Sequence, residues 1–190
     1  MNTTPAKHNL SDERLVRSCR KGDEAAWSAL IDRYKNLIFS IPIKFGLSRE
    51  DAAEVFQAVC VELFAGLPKL REPKALPKWL MQTSYHQCLR WKKERLHFSE
   101  NAILDQQEAD PEKLPERMLY QLQREQMVRE AVIELSPRCQ HLVKMLFFRA
   151  TPRPYEEVAK ELGLAIGSIG FIRGRCLKQL RDRLAKKGFR

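Results

Sequence analysis

"YEEVAKELGLAIGSIGFIRGRCLKQLRDRL", residues 155–184, decides how the rest of this chain is read. Ala159, Gly163 and Ile169 fall at relative positions 0, +4 and +10, the spacing of two short helices joined by a tight turn. Ala159 is small enough for the helices to cross closely, Gly163 can take the left-handed conformation that ends the first, and Ile169 anchors the second. Val158, Leu162 and Leu164 complete a small core. Along the second helix Ile169, Ile172, Cys176, Leu177, Leu180 and Leu184 form an inner stripe. Ser168, Phe171, Arg173, Gly174, Arg175, Lys178 and Arg181 lie largely off it. That outer set offers charges for phosphates and a few side chains for base edges, so the stretch reads as a DNA-binding helix-turn-helix. An ordinary helical hairpin with a solvated basic face is the alternative.

The charge agrees. The 190 residues carry a formal net charge of +10, which favours an acidic partner, nucleic acid before anionic membrane. Residues 1–96 hold 17 Lys/Arg against 11 Asp/Glu, residues 97–116 one Lys against six acids, and residues 117–190 16 against seven. Two basic blocks are therefore separated by an acidic spacer. Cys19, Cys60, Cys88, Cys139 and Cys176 form no Cys-x-x-Cys pair and lie in apolar helical patterns, which reads as reduced, buried thiols in a cytoplasmic protein. The opening "MNTTPAKHNL" has no apolar run and does not read as a signal peptide, and no stretch approaches the roughly 20 apolar residues that span a bilayer, so no membrane insertion is expected.

Upstream, Trp27, Leu30, Ile31, Tyr34, Leu37, Ile38 and Ile41 recur at helical spacing until Pro42, which should kink or end the helix. Ser48 is a plausible N-cap with Asp51 three residues on, and the helix it opens should run to about Leu63 or Phe64. Pro68, Pro73 and Pro77 mark a loop, after which a helix carries "KWLMQTSYHQCLRWKKER". Residues 97–116 read as a flexible acidic linker. Helical pattern resumes from Met118, and Ser136-Pro137 signals another helix start. No segment alternates with period two over useful length. The expectation is an all-α chain: a domain over 10–96, a linker over 97–116 and a helix-turn-helix domain over 117–187.

Two surfaces of the first domain stand out. On the helix after Ser48, Val55, Phe56, Val59, Cys60 and Leu63 form the inner stripe, leaving Glu54, Gln57, Ala58, Val61 and Glu62 as a semi-apolar outer face suited to a protein partner or simply to solvent. On the next helix, Tyr85, His86 and Trp91 interleave with Arg90, Lys92, Lys93 and Arg95; basic groups track phosphates while aromatic rings stack on unpaired bases. Neither an acidic metal cluster, a Ser/His/Asp set nor a phosphate-binding glycine loop is present, so an enzyme is not expected and no cofactor or metal is called for.

Taken in order, these stretches resemble bacterial RNA polymerase sigma factors of the extracytoplasmic-function (ECF) group. "LVRSCRKGDEAAWSALIDRY" looks like the family's opening helices, and "DAAEVFQAVCVELF" looks like its polymerase-binding helix, with Glu54, Val55, Phe56 and Gln57 at the core of that motif. "KWLMQTSYHQCLRWKKER" is similar to the segment leading into promoter melting, and "LSPRCQHLVKMLFF", "YEEVAKELGL" and "GSIGFIRGRCLKQLR" look like the C-terminal region. The resemblance covers the chain from Leu10 to about Leu184. It implies a protein that directs core RNA polymerase to promoter DNA and is commonly held by an anti-sigma protein. Core polymerase would be met by Asp51, Glu54, Gln57 and Val61; the −10 element by Tyr85, His86, Arg90, Trp91, Lys92 and Lys93; the −35 element by Ser168, Phe171, Arg173, Arg175, Lys178 and Arg181. The family often has Asn at His86 and Asp at Arg90, and the helix that opens after Ala165 lacks the usual cap and basic residues at Gly170, Phe171 and Ile172. Its base contacts therefore do not transfer to those positions. A helix-turn-helix regulator that binds duplex DNA and ignores polymerase is the competing functional reading.

Overall fold

The computed structural model describes residues 10–97, 114–148, 151 and 153–189. Within them the chain forms eight α-helices and two short 3-10 turns, with no strand, and divides into two compact units, Met1–Gln123 and Arg124–Arg190. Most of the expected acidic linker, residues 98–113, lies outside the described residues.

The first unit is built on α1 (Asp12–Cys19), α2 (Glu24–Lys44), α3 (Arg49–Gly66) and α4 (Leu76–His97). Each of the first three starts on a polar cap. Ser11 and Asp23 accept the amides of Arg14 and Ala26, and Ser48 accepts the Asp51 amide at 3.1 Å, as the sequence leads one to expect. Helix α2 runs two residues beyond Pro42 before it ends, so the proline sits inside its last turn. Helix α3 reaches Gly66, past the expected end at Leu63 or Phe64, and the proline-rich stretch holds 3-10 turns at Leu67–Lys69 and Pro73–Ala75. Gly66 has a physical reason: a Cβ there would lie 3.0 Å from the Trp79 ring, so the bare backbone lets α3 end close against α4 without moving that ring.

Helices α2, α3 and α4 pack on one another, and α1 packs on α2. Their core includes Leu15, Leu30, Tyr34, Leu37, Ile38, Ile41, Leu63, Leu67, Leu76, Leu80 and Met81. The polar groups carried into it are bonded. The Tyr34 hydroxyl donates to Asp12 at 2.5 Å, and Arg33 donates to the same carboxylate at 2.7 Å, which locks the start of α1 onto α2.

In the second unit lie the C-terminal part of α5 (Glu116–Ile133), then α6 (Pro137–Phe147), α7 (Tyr155–Leu162) and α8 (Ile166–Lys186). Ser136 caps α6 with Pro137 at its first position, as expected. The core is small: Val132, Leu135, Leu142, Val143, Met145, Leu146, Val158, Ala159 and Ile169, with Leu162, Leu164, Ile172 and Leu180 around it.

One expectation is overturned here. The five cysteines do not all remain thiols: Cys139 on α6 and Cys176 on α8 form a disulfide with their Cα atoms 5.4 Å apart. Both residues sit on the inner stripes of helices that pack together, and positions 37 apart in sequence carry no signal of that meeting. Cys19, Cys60 and Cys88 take no part in a disulfide. Burial pushes the Cys60 thiol up and the Cys88 thiol up to about 12, which suits packing rather than reactivity.

Candidate nucleic-acid interface

The turn between α7 and α8 is made by Gly163 at φ +62°, ψ +42°, with the Leu164 amide donating to the Ala159 carbonyl at 2.8 Å. A side chain at Gly163 would be strained by that backbone, although no atom stands in its way. Ala159 is buried beneath the crossing and Ile169 is fully buried on α8. The two helices thus form the expected helix-turn-helix, with Ala165 at the cap position before α8, where it offers no side-chain acceptor.

The outer residues of α8 fall as follows. Phe171 is 77% exposed, and Arg175, Lys178 and Arg181 are exposed beside it. Arg173 is exposed but donates to the Tyr155 hydroxyl at 2.7 Å, which ties α8 to α7. Ser168 is half-buried and its hydroxyl donates back to the Ala165 carbonyl at 2.7 Å. Of the six α8 residues expected at DNA, four therefore project freely outward, and Arg173 and Ser168 also serve the fold.

On α4 the expected set divides. His86, Arg90, Lys92 and Lys93 are exposed, and His86 lies 3.0 Å from Gln82 through its Nε2. Tyr85 is 2% exposed, and its ring meets Phe45 edge-on at 5.4 Å. A base cannot stack on a ring enclosed in that way, so Tyr85 is a core residue. Trp91 is half-buried against the same core, with the Arg95 guanidinium 4.7 Å over its ring. Sequence periodicity missed this because α4 is covered by both α2 and α3, and its buried arc is broad: Thr83, Ser84, Gln87 and Cys88 are buried as well.

The outer face of α3 carries Glu54 and Gln57, both exposed, and Val61 at 69% exposure. Phe64, which the sequence reading left out, continues this stripe at 70% exposure with its ring 5.4 Å from Trp27. The spacing 54, 57, 61, 64 is the helical signal that could have found it. Asp51 does not belong to this face. Its side chain accepts from the Ser48 hydroxyl at 2.6 Å and from Arg95 at 3.1 Å, so it joins the start of α3 to the end of α4. Glu62 likewise accepts from Gln87 of α4.

These features define a class: an all-helical protein with a basic helix-turn-helix in its second unit. No helix among the described residues is long and apolar enough to cross a membrane, and none of their His, Cys, Asp and Glu side chains gather as a metal site. Comparison with known proteins adds a distant relative. The chain is 28% identical over 71 residues to the ECF RNA polymerase sigma-E factor of Haemophilus influenzae, a match that covers 37% of this chain and 37% of that protein. No protein-family model matches the chain. Among solved structures, "Structure of CnrH in complex with the cytosolic domain of CnrY" aligns with 92% of this chain and 97% of that one, at 16% identity and a TM-score of 0.39.

Proposed function

We propose that this protein is a sigma factor of the ECF type: it binds core RNA polymerase, carries it to specific promoters and initiates transcription there. The observation that carries the reading is the α7–α8 helix-turn-helix, whose outer face holds Phe171, Arg175, Lys178 and Arg181. The sequence similarity to a sigma-E factor supports it. Helix α8 lies in the −35 major groove with its cations on phosphates. His86, Arg90, Lys92 and Lys93 of α4 follow the −10 strand, and the exposed part of Trp91 is the ring left to meet an unpaired base. Glu54, Gln57, Val61 and Phe64 on α3 form the polymerase-binding face. The protein performs no covalent chemistry; binding energy for single-stranded DNA opens the promoter. It works in the bacterial cytoplasm, and an anti-sigma protein is the regulatory partner that goes with this reading.

Reconstitution tests it. Purified protein added to core polymerase gives promoter-specific run-off transcripts from genomic DNA, and Glu54→Ala with Gln57→Ala weakens association with core while leaving DNA binding by the free protein intact. Absence of any complex with core overturns the reading, and duplex binding without core association would assign a polymerase-independent regulator instead.

A further inference from the structure

Gly167, Phe171, Gly174, Lys178 and Arg181 recur at steps of four and three residues, so they form one line along α8, on the side opposite the buried Ile169 and Cys176. A Cβ added at Gly167, Gly170 or Gly174 would meet nothing within 4 Å. Nothing inside the unit requires those positions to be bare, yet each glycine in a helix interior costs about 1 kcal/mol relative to alanine. Phe171 stands within this strip as the most exposed of the large hydrophobic residues described. The leading part of the outer face is thus an aromatic ring on naked backbone, and the cations Arg175, Lys178 and Arg181 follow it.

In the major groove guanine, cytosine and adenine present hydrogen-bonding groups, whereas thymine adds an apolar one, its C5-methyl. Glycines at 167, 170 and 174 supply no side-chain donor or acceptor, and a phenyl ring supplies none either. We propose that α8 reads thymine methyl groups through Phe171, the bare strip bringing the helix close enough for the ring to reach base edges while Arg175, Lys178 and Arg181 hold phosphates. The inference rests on the DNA-binding reading above and names the chemistry of its specificity. An exposed ring also suits a protein partner, but three cations in the turns that follow favour a polyanion.

The test uses the full chain, alone and with core polymerase, to select duplexes from a random pool. Each thymine of the selected upstream element is then replaced by deoxyuridine, which lacks only the methyl. Loss of one buried methyl weakens binding about fourfold at the positions read. Phe171→Ala binds thymine and deoxyuridine duplexes alike, and Phe171→Leu keeps part of the discrimination. Both variants melt like the parent because the side chain is exposed. If the parent binds both duplexes equally at every position while Arg175→Ala still weakens all of them, methyl readout is overturned and DNA binding stands. If no duplex is retained, the inference falls together with the reading beneath it. If Phe171→Ala loses a protein partner with DNA binding unchanged, the ring belongs to that partner and the inference is overturned.

Discussion

The two units solve the same problem with different means. The first wraps three mutually packed helices and α1 around a broad apolar core, and the hydrogen bonds among Asp12, Arg33 and Tyr34 fix one end of it. The second has fewer buried residues, and cross-links them: the Cys139–Cys176 disulfide joins α6 to α8, Arg173 to Tyr155 joins α8 to α7, and His141 to Glu161 at 2.8 Å joins α6 to α7. The contrast follows from size, since a short segment buries a smaller fraction of its surface and needs other ties. It also follows from use, because a helix that turns much of its circumference outward has little left to bury.

The contrast can be broken most directly in the first unit. Leu30→Ala removes a fully buried side chain from the α2 stripe and should cost about 2–5 kcal/mol in urea unfolding. A loss below that range would mean that the first core is no denser than the second. In the second unit, Cys139→Ser opens a bridge between positions 37 apart and should cost about 4 kcal/mol by loss of loop constraint, with reductant producing the same shift in the parent. Equal melting of oxidised and reduced protein would show that the cross-link does not stabilise the second unit. Gly66→Ala places a methyl 3.0 Å from the Trp79 ring and should cost about 1–3 kcal/mol, whereas Gly167→Ala on open α8 should raise stability by up to about 1 kcal/mol. Thermal melts of the two variants moving in the same direction would contradict that assignment.

The smallest effect is electrostatic. A hydrogen bond from His141, with the charge of Arg153 beside it, holds the Glu161 carboxyl below its ordinary value. A carboxyl lowered in the folded state stabilises fully above its unfolded value, and that contribution is lost as pH falls through the folded one. Glu161→Gln should therefore lower stability slightly at neutral pH and leave the acid end nearly unaffected, which flattens the acid limb of a stability–pH curve; an unchanged curve would show that the contact is too exposed to matter.

Local chemistry was legible in the sequence. The caps at Ser48 and Ser136, the left-handed turn at Gly163, the uncapped start at Ala165 and the inner stripe through Ile169 and Cys176 all depend on residues within a few positions of one another. What periodicity could not supply was the second partner. It marked Cys139 and Cys176 as inward, but not as neighbours. It assigned Tyr85 to the nucleic-acid face because it could not show that α4 is enclosed on two sides. The resemblance gave Asp51 to a partner protein, and no local pattern could show that Arg95 on α4 claims it. Phe64 was missed for a different reason: a large apolar side chain is ordinarily assigned to a core, and here it lies on the outside.

The disulfide also has a topological consequence. It closes a ring from residue 139 to residue 176 that contains most of α6, all of α7, the turn at Gly163 and the first half of α8. A protease that cuts at one point inside this ring leaves the chain connected. The nicked protein migrates as one species until reductant is added and as two afterwards. Gel mobility with and without reductant would thus place any accessible peptide bond either inside or outside the ring.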